Sequence, residues 1–374
     1  MTARARKMKA EGLDVVSFAA GEPDFNTPLS VCQSASQALE QGLTKYAPSR
    51  GLPILVEAII RKLGRENKLQ ASGDNIVVSC GAKHSLYNAF MTLLDPGDEV
   101  ILIAPYWMTY ADQIVLAGGV PVIVQTTADT GFTPHSDQIK AALTAKTKAI
   151  VINSPCNPTG SALSRQQLKD IAAIALRHNL WIISDEIYER LTYDHPHTSI
   201  ASLSKEVAER TVSIFGCSKS YSMTGWRIGF SVAPKQVSDA MANLQDQVTS
   251  NATTFAQAGA ATALDLPDAE VESMRSEFET RRNLGLELLR AIPGLRISQP
   301  KGAFYFFVDC SAYLQGSVKT DLDLAELLLE KAHVATVPGS VFVGPGHLRL
   351  SYAASREDIQ KGVMRLAQVL PTIA

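Results

Sequence analysis

Five cysteines in 374 residues, at positions 32, 80, 156, 217 and 310, are odd in number and widely scattered. No Cys-x-x-Cys pair occurs, so neither a disulfide framework nor a zinc site is indicated; small buried thiols in a reducing compartment are expected. Long apolar runs are missing too, and none approaches the roughly 20 residues of a membrane-spanning helix. Neither sign of charge is in excess. The 35 Lys and Arg against 37 Asp and Glu leave a net charge of −2, which argues against a nucleic-acid or anionic-membrane surface. The opening "MTARARKMKAEG" is basic but lacks an apolar core segment, so it does not read as a secretory signal and a cytoplasmic location is expected. No Gly-x-Gly-x-x-Gly follows an early strand, which removes the usual dinucleotide fingerprint. Internal repeats and low-complexity tracts are absent.

What is present is an alternation. From about residue 30 to 265, short β-branched runs alternate with helical stretches, the pattern of an α/β sheet with crossover helices. In "GLPILVEAIIRKLGREN" Leu55, Val56, Ile59, Ile60 and Leu63 lie on one helical face. Ser164 and Gln167 form a capping box with Leu163 and Leu168 as a staple, which predicts a helix running to about Arg177. Past Pro267 the character changes. A charged amphipathic segment from Ala269 to Ile292 predicts a long bridging helix, and "AFYFFVD", "VATVPG" and "LRLSYA" read as strands of a smaller α+β unit. The first ~30 residues are too few to fold alone and are expected to join it. The expected division is therefore 30–265 as one domain, with 1–29 and 266–374 as the other.

The residues after each candidate strand are the informative ones. "NIVVSC" leads to Gly81-Ala82-Lys83 and a helix; "EVILIAP" leads to Tyr106-Trp107; "KAIVIN" leads to "SPCNPTG" with Asn157. "LWIISD" ends on Asp185, with Tyr188 three residues on, and "TVSIF" ends in "GCSK" with Lys219. In open α/β sheets ligands bind beyond the carboxyl ends of the strands. Taken singly, each residue has an ordinary reading as a turn, a cap, a packed aromatic or a solvated lysine. Together they supply what an aromatic, phosphorylated aldehyde cofactor needs, and pyridoxal phosphate fits. Lys219, among small neighbours, is an amine for the aldehyde. Asp185 is a carboxylate for the pyridinium nitrogen. Trp107 can stack on the ring, and Asn157 and Tyr188 can bond its oxygen. The helix start at Gly81-Ala82-Lys83 and the guanidinium of Arg227 suit a phosphate.

The stretch "GCSKSYSMTGWRIG" resembles the pyridoxal-phosphate attachment signature of class I aminotransferases. The likeness extends over "AAGEPDFNTP", "TKYAPSRGLPILVEAI", "DPGDEVILIAPYWMTY", "NSPCNPTG", "SDEIYERL", "KGAFYFF" and "HLRLSYA". Together these look most like bacterial-type aspartate aminotransferases, a branch that includes prephenate-accepting members. The resemblance implies the type I fold: an α/β domain with a mixed, mostly parallel sheet and a small α+β domain. It implies that Lys219 both holds the cofactor and shuttles the substrate's Cα proton. Arg349 would clamp the substrate α-carboxylate, helped by the backbone at Gly21, and Lys83 would meet an acidic side chain. Tyr46 would reach the phosphate of a neighbouring subunit, because members of the family are homodimers with shared active sites.

The expected reaction is amino transfer between aspartate and 2-oxoglutarate, with an amino acid and a 2-oxo acid as the small-molecule partners. Other donors or acceptors (prephenate, aromatic, alanine) or a C–S lyase on the same scaffold are the alternatives. Two departures from the resembled pattern are expected to matter. Relatives usually carry a longer N-terminal leader that folds over the active site, so a missing or truncated leader is expected here. Some relatives place a phosphate-binding hydroxyl three residues before the lysine, where this chain has Gly216, and Ser218 is the candidate substitute.

Overall fold

The computed structural model describes residues 2–373. A short strand β1 (Val16–Ser17) precedes the strands of the large sheet: β2 (Ile76–Ser79), β3 (Glu99–Ala104), β4 (Val120–Gln125), β5 (Thr147–Asn153), β6 (Trp181–Asp185), β7 (Thr211–Gly216) and β8 (Gly229–Val232). Five more follow: β9 (Arg296–Ile297), β10 (Tyr305–Asp309), β11 (Val334–Ala335), β12 (Val337–Pro338) and β13 (His347–Ser351).

The large sheet has the order β2-β8-β7-β6-β5-β3-β4. Pairs from β7 to β4 are parallel, and β8 runs antiparallel to both of its neighbours. Parallel strands are covered on both faces and so carry near-continuous apolar runs. That is why "TVSIF" shows no alternation: every residue of it is buried. The edge strand "IVVS" pairs antiparallel with β8 and is buried throughout because both its faces are covered, Ile76 and Val78 by one apolar cluster and Val77 by another. Because β8 is the reversed member, the carboxyl ends of β2, β3, β5, β6 and β7 all open on one edge.

Local rules account for the flanking helices. Ser164 Oγ accepts from Gln167 N at 3.3 Å and Ser164 N donates to Gln167 Oε1 at 2.9 Å, closing the capping box of the helix Arg165–Arg177. Leu168 is buried, and Leu163 packs against the same cluster. The helix Pro53–Lys62 widens into one looser turn, Leu63–Asn67, and stops at Lys68 with φ 57°. Its last residue, Lys62, is only 1% exposed, which amphipathic spacing does not anticipate.

The antiparallel sheet β12-β13-β10-β9 and the parallel pair β1-β11 make the second, smaller layer. The helix Asp268–Arg290 contributes Phe278, Leu286 and Leu289 to its core. The segment "VATVPG", expected as a single strand, is two. Val334 and Ala335 pair with Val16 and Ser17, whereas Val337 and Pro338 pair with Arg349 and Leu348. The chain changes sheets at the fully buried Thr336, a step invisible to residue periodicity. No helix among the described residues is long and apolar enough to cross a membrane.

Candidate active site

The carboxyl-end edge of the large sheet and the inner face of β10 and β13 enclose a cavity of about 400 Å³. Its walls include Lys219, Asp185, Tyr188, Asn157, Trp107, Ser218, Arg227 and Arg349, together with Gly21, Ala82 and Lys83. Of the candidates taken from the sequence, Gly81 stands just behind the lining and Tyr46 is elsewhere, 93% exposed.

The loop after β6 provides the floor. Asp185 is 2% exposed, and burial lifts its carboxyl to about 6, against the lowering pull of two hydrogen bonds and of nearby Lys219. The Tyr110 hydroxyl donates to Oδ2 at 2.6 Å, and the Ile187 N–H donates to Oδ1 at 3.2 Å. A carboxylate so poor in water is a partner for a buried cation. The Tyr188 hydroxyl shares a 2.9 Å hydrogen bond with that of Tyr305, and burial drives its pKa well up.

Lys219 follows β7 on the four-residue helix Cys217–Ser220. Its Nζ donates to the Gly21 carbonyl, which joins the N-terminal segment to the site. Burial, aided by Arg349 and Arg227 and opposed by Glu22 and Asp185, brings the ammonium pKa down to about 8. The amine is therefore partly unprotonated near neutral pH, the state a nucleophile requires.

At the far end of the floor, the helix Ala82–Leu93 begins at Gly81, whose φ of +86° suits glycine. A Cβ there would stand 2.6 Å from Arg227 Nη2, and one on Gly229 would stand 2.3 Å from Ala82 N. These two glycines let the guanidinium and the helix start share one small cradle. First-turn N–H groups and an arginine form an anion site. Ser218 adds a hydroxyl to the wall. Gly216 does not line the cavity: a Cβ on it would meet Ile187 Cδ1 at 2.7 Å, so an isoleucine methyl fills the space a side chain at 216 would need.

The opposite wall comes from β13. Arg349 is 7% exposed and lies between the Tyr305 and Phe342 rings, at 4.5 and 4.9 Å. It donates to Asn157 Oδ1 at 2.8 Å and to the Ala19 carbonyl at 3.2 Å, while its buried Nε has no partner. The Lys83 ammonium sits 4.7 Å over the Trp107 ring, which meets Tyr110 edge to face.

Sequence reasoning passed over Tyr110, Asn153 and Tyr305. Asn153 was open to the same rule that found Asp185, because it is the last residue of β5. Its Nδ2 donates to the Asp185 carbonyl at 3.0 Å, and its Oδ1 accepts from Asn157 N at 2.8 Å, so it binds the two loops together. Tyr110 and Tyr305 carry no local signal, since their partners are distant in the chain.

The donor set suits pyridoxal phosphate: an amine with a lowered pKa, a dry carboxylate across from it, and an anion cradle that a single Cβ would fill. The family described as "Aminotransferase class I and II" matches residues 13–366. The chain is 46% identical over 368 residues to the aspartate aminotransferase of Bacillus sp. (strain YM-2), covering 98% of this chain and 94% of that one. It is 48% identical over 376 residues to the probable aspartate/prephenate aminotransferase of Aquifex aeolicus, covering 100% and 95%. Among solved structures, Thermus thermophilus aspartate aminotransferase with maleate superposes with a TM-score of 0.94 at 42% identity, over 98% of this chain and 95% of that one.

Proposed function

The chain belongs to the class I and II aminotransferases, which are pyridoxal-phosphate-dependent enzymes of the type I fold, and on that premise we propose an L-aspartate:2-oxoglutarate aminotransferase. Related dicarboxylic amino acids fall within this reading. The observation that carries it is the placing of the Lys219 amine, the Asp185 carboxylate and the Arg349 guanidinium around one 400 Å³ cavity.

When bound, pyridoxal phosphate supplies an aldehyde for the amino group and a protonated ring that accepts the electron pair left at Cα. Lys219 holds the cofactor between turnovers. Its Nζ, when not holding the cofactor, would move a proton at the substrate Cα. Asp185 holds the ring-nitrogen proton, and Tyr110 and Ile187 keep its carboxylate fixed. Tyr188 and Asn157 bond the ring oxygen, and Trp107 covers the ring face. Arg227, Ser218 and the first-turn amides of Ala82 and Lys83, presented by the turn at Gly81, would hold the phosphate.

Arg349 takes the α-carboxylate of donor and acceptor alike as a two-pronged donor. Lys83, at the mouth, takes the second carboxylate of a dicarboxylic substrate. The two half-reactions use one site in turn, giving ping-pong kinetics. We read residues 30–265 as the cofactor-binding domain, with 1–29 and 266–374 as the domain that carries Arg349. We also read the enzyme as a cytoplasmic homodimer in which the exposed Tyr46 serves the partner's phosphate site.

A donor and acceptor screen tests the substrate. Aspartate, glutamate, prephenate, alanine and phenylalanine are compared, with ammonia and thiol release followed in parallel. Aspartate with 2-oxoglutarate should give the highest kcat/KM. Dominant thiol release, or a clear preference for a monocarboxylic donor, overturns the assignment.

A further inference from the structure

The loop between β4 and the helix Ser136–Ala141 crosses from the edge of the large sheet onto the small one. After a tight turn at Ala128–Thr130 come Gly131 with φ 62° and Phe132 with φ 56°. A bulky aromatic in the left-handed region is uncommon, and it persists only where its surroundings over-determine it. The Phe132 N–H bonds the Thr127 carbonyl at 2.9 Å. Gln167 Nε2 donates to Thr133 Oγ1 at 2.9 Å, which ties the loop to the helix Arg165–Arg177.

The ring itself packs on the other sheet. It is 6% exposed and meets Phe307 of β10 edge to face, with centroids 5.5 Å apart at 80°. It meets His347 of β13 at 5.8 Å and 75°. Phe307 and His347 are themselves stacked at 4.6 Å, and Phe342 completes the cluster.

Those same residues set Arg349. Phe307 is its cross-strand partner in the β10–β13 register, and the Phe342 ring lies against its guanidinium. His347 precedes it by two residues, on the same face of the strand. Phe132 does not line the cavity, whereas Phe342 does. The wedge therefore acts on the site through the aromatic layer and not by touching substrate or cofactor.

We propose that Phe132 is a positioning residue for Arg349: inserted from the large sheet's loop, it holds β13 where the guanidinium reaches the substrate carboxylate. This rests on the reading of Arg349 as the α-carboxylate clamp. Binding of every amino and 2-oxo acid then depends on Phe132, whatever the side chain; of the residues read as cofactor contacts, Trp107 packs against this cluster, whereas Lys219, Asp185 and Arg227 stand outside it.

The test uses the holoenzyme with Phe132→Ala, Phe132→Leu and Arg349→Ala. KM and kcat are measured for aspartate and alanine, maleate binding is followed through cofactor absorbance, and cofactor content and Tm are recorded. Misplacing a binding group by a fraction of an ångström should raise both KM values and the maleate Kd about tenfold in Phe132→Ala, with Phe132→Leu between it and the parent. Cofactor content should stay at the parental level. Unchanged KM and maleate Kd in a folded Phe132→Ala overturn the proposal, as do losses confined to kcat or to cofactor retention. If Phe132→Ala does not fold, Phe132→Leu decides on the same criteria. Arg349→Ala separates the two readings. If it leaves every KM unchanged, the clamp reading fails; if it raises them while Phe132→Ala does not, only the wedge fails.

Discussion

Replacing Asp185 by asparagine keeps the shape of the floor and removes its charge. The carboxylate accepts from both the Tyr110 hydroxyl and the Ile187 N–H, so it offers an oxygen to each. A carboxamide has one oxygen for two donors, and its NH2 must oppose one of them or the ring-nitrogen proton. Removing one partner of a buried ion pair is strongly destabilising, by about 3–5 kcal/mol. Here that loss falls on the charge developed during Cα proton transfer, so kcat should drop about 10²–10³-fold, or roughly 3–4 kcal/mol. KM for aspartate should move little, because Arg349 lies on a different strand. The half-reaction is read as the change in cofactor absorbance on mixing with aspartate.

The cofactor-free protein gives a second, opposite readout. An unfolded aspartate titrates near pH 3.9, roughly two units below the folded value. Burial raises the folded Asp185 carboxyl to about 6. Between those limits the folded chain binds a proton that the unfolded chain does not, so stability falls as pH rises from about 4 to 6. The fall amounts to roughly 3 kcal/mol and persists at higher pH. Cofactor-free Asp185→Asn should therefore resist urea better than the parent above pH 6, with the advantage shrinking towards pH 4. A variant with kcat within fivefold of the parent, or one showing no pH-dependent gain in the cofactor-free state, refutes this reasoning.

Lys219→Ala should abolish turnover, and borohydride should no longer fix cofactor to the peptide around residue 219, as read by mass spectrometry; retained turnover with retained adduct would mean another amine holds it. Lys83→Ala should lower kcat/KM for aspartate about tenfold, the scale of a partly exposed charge pair, and leave alanine and phenylalanine within twofold. Equal losses for all three would remove Lys83 from side-chain recognition. Gly81→Ala combines a left-handed φ with a Cβ 2.6 Å from Arg227 Nη2, so the phosphate cradle should fill. Its Kd for pyridoxal phosphate should rise at least tenfold while binding of phosphate-free pyridoxal changes little; parallel losses for both ligands would locate the damage outside the cradle.

The parts of the site that sequence reasoning reached share one physical cause. A parallel strand must be buried on both faces, so it is written as an uninterrupted apolar run, and the first polar residue after it marks the edge where ligands bind. Asn157, Asp185 and Lys219 follow such runs and could be placed without knowing any long-range contact. Arg349 could not: an arginine on a small-sheet strand reads as an exposed charge until Asn157, Tyr305 and Phe342 are brought around it. The split of "VATVPG" failed for a related reason, because alternation reports which face a residue uses and not which sheet the strand joins.

The stretch "SDEIYE" shows how deep the unreadable layer goes. Asp185 and Tyr188 face the cavity, while Glu186 and Glu189, each one residue later, are held in two polar networks of their own. Glu186, 1% exposed, accepts from Ser184 at 3.0 Å, pairs with His197 at 2.8 Å and accepts from Ser199. Glu189 accepts from Asn67 at 2.6 Å and from the buried ammonium of Lys62, which also lies 4.8 Å over the ring of Phe215 in β7, the strand that leads to Lys219. Read alone, a glutamate after each functional residue is a solvated charge, and a lysine at the end of a helix is its ordinary complement to the helix dipole. The pairing that makes them structural spans 127 residues of chain between Lys62 and Glu189. Local patterning can name the groups that line the cavity, because strand ends announce them. It cannot name the buried ions that keep those groups in place, because their partners are chosen only by the finished fold.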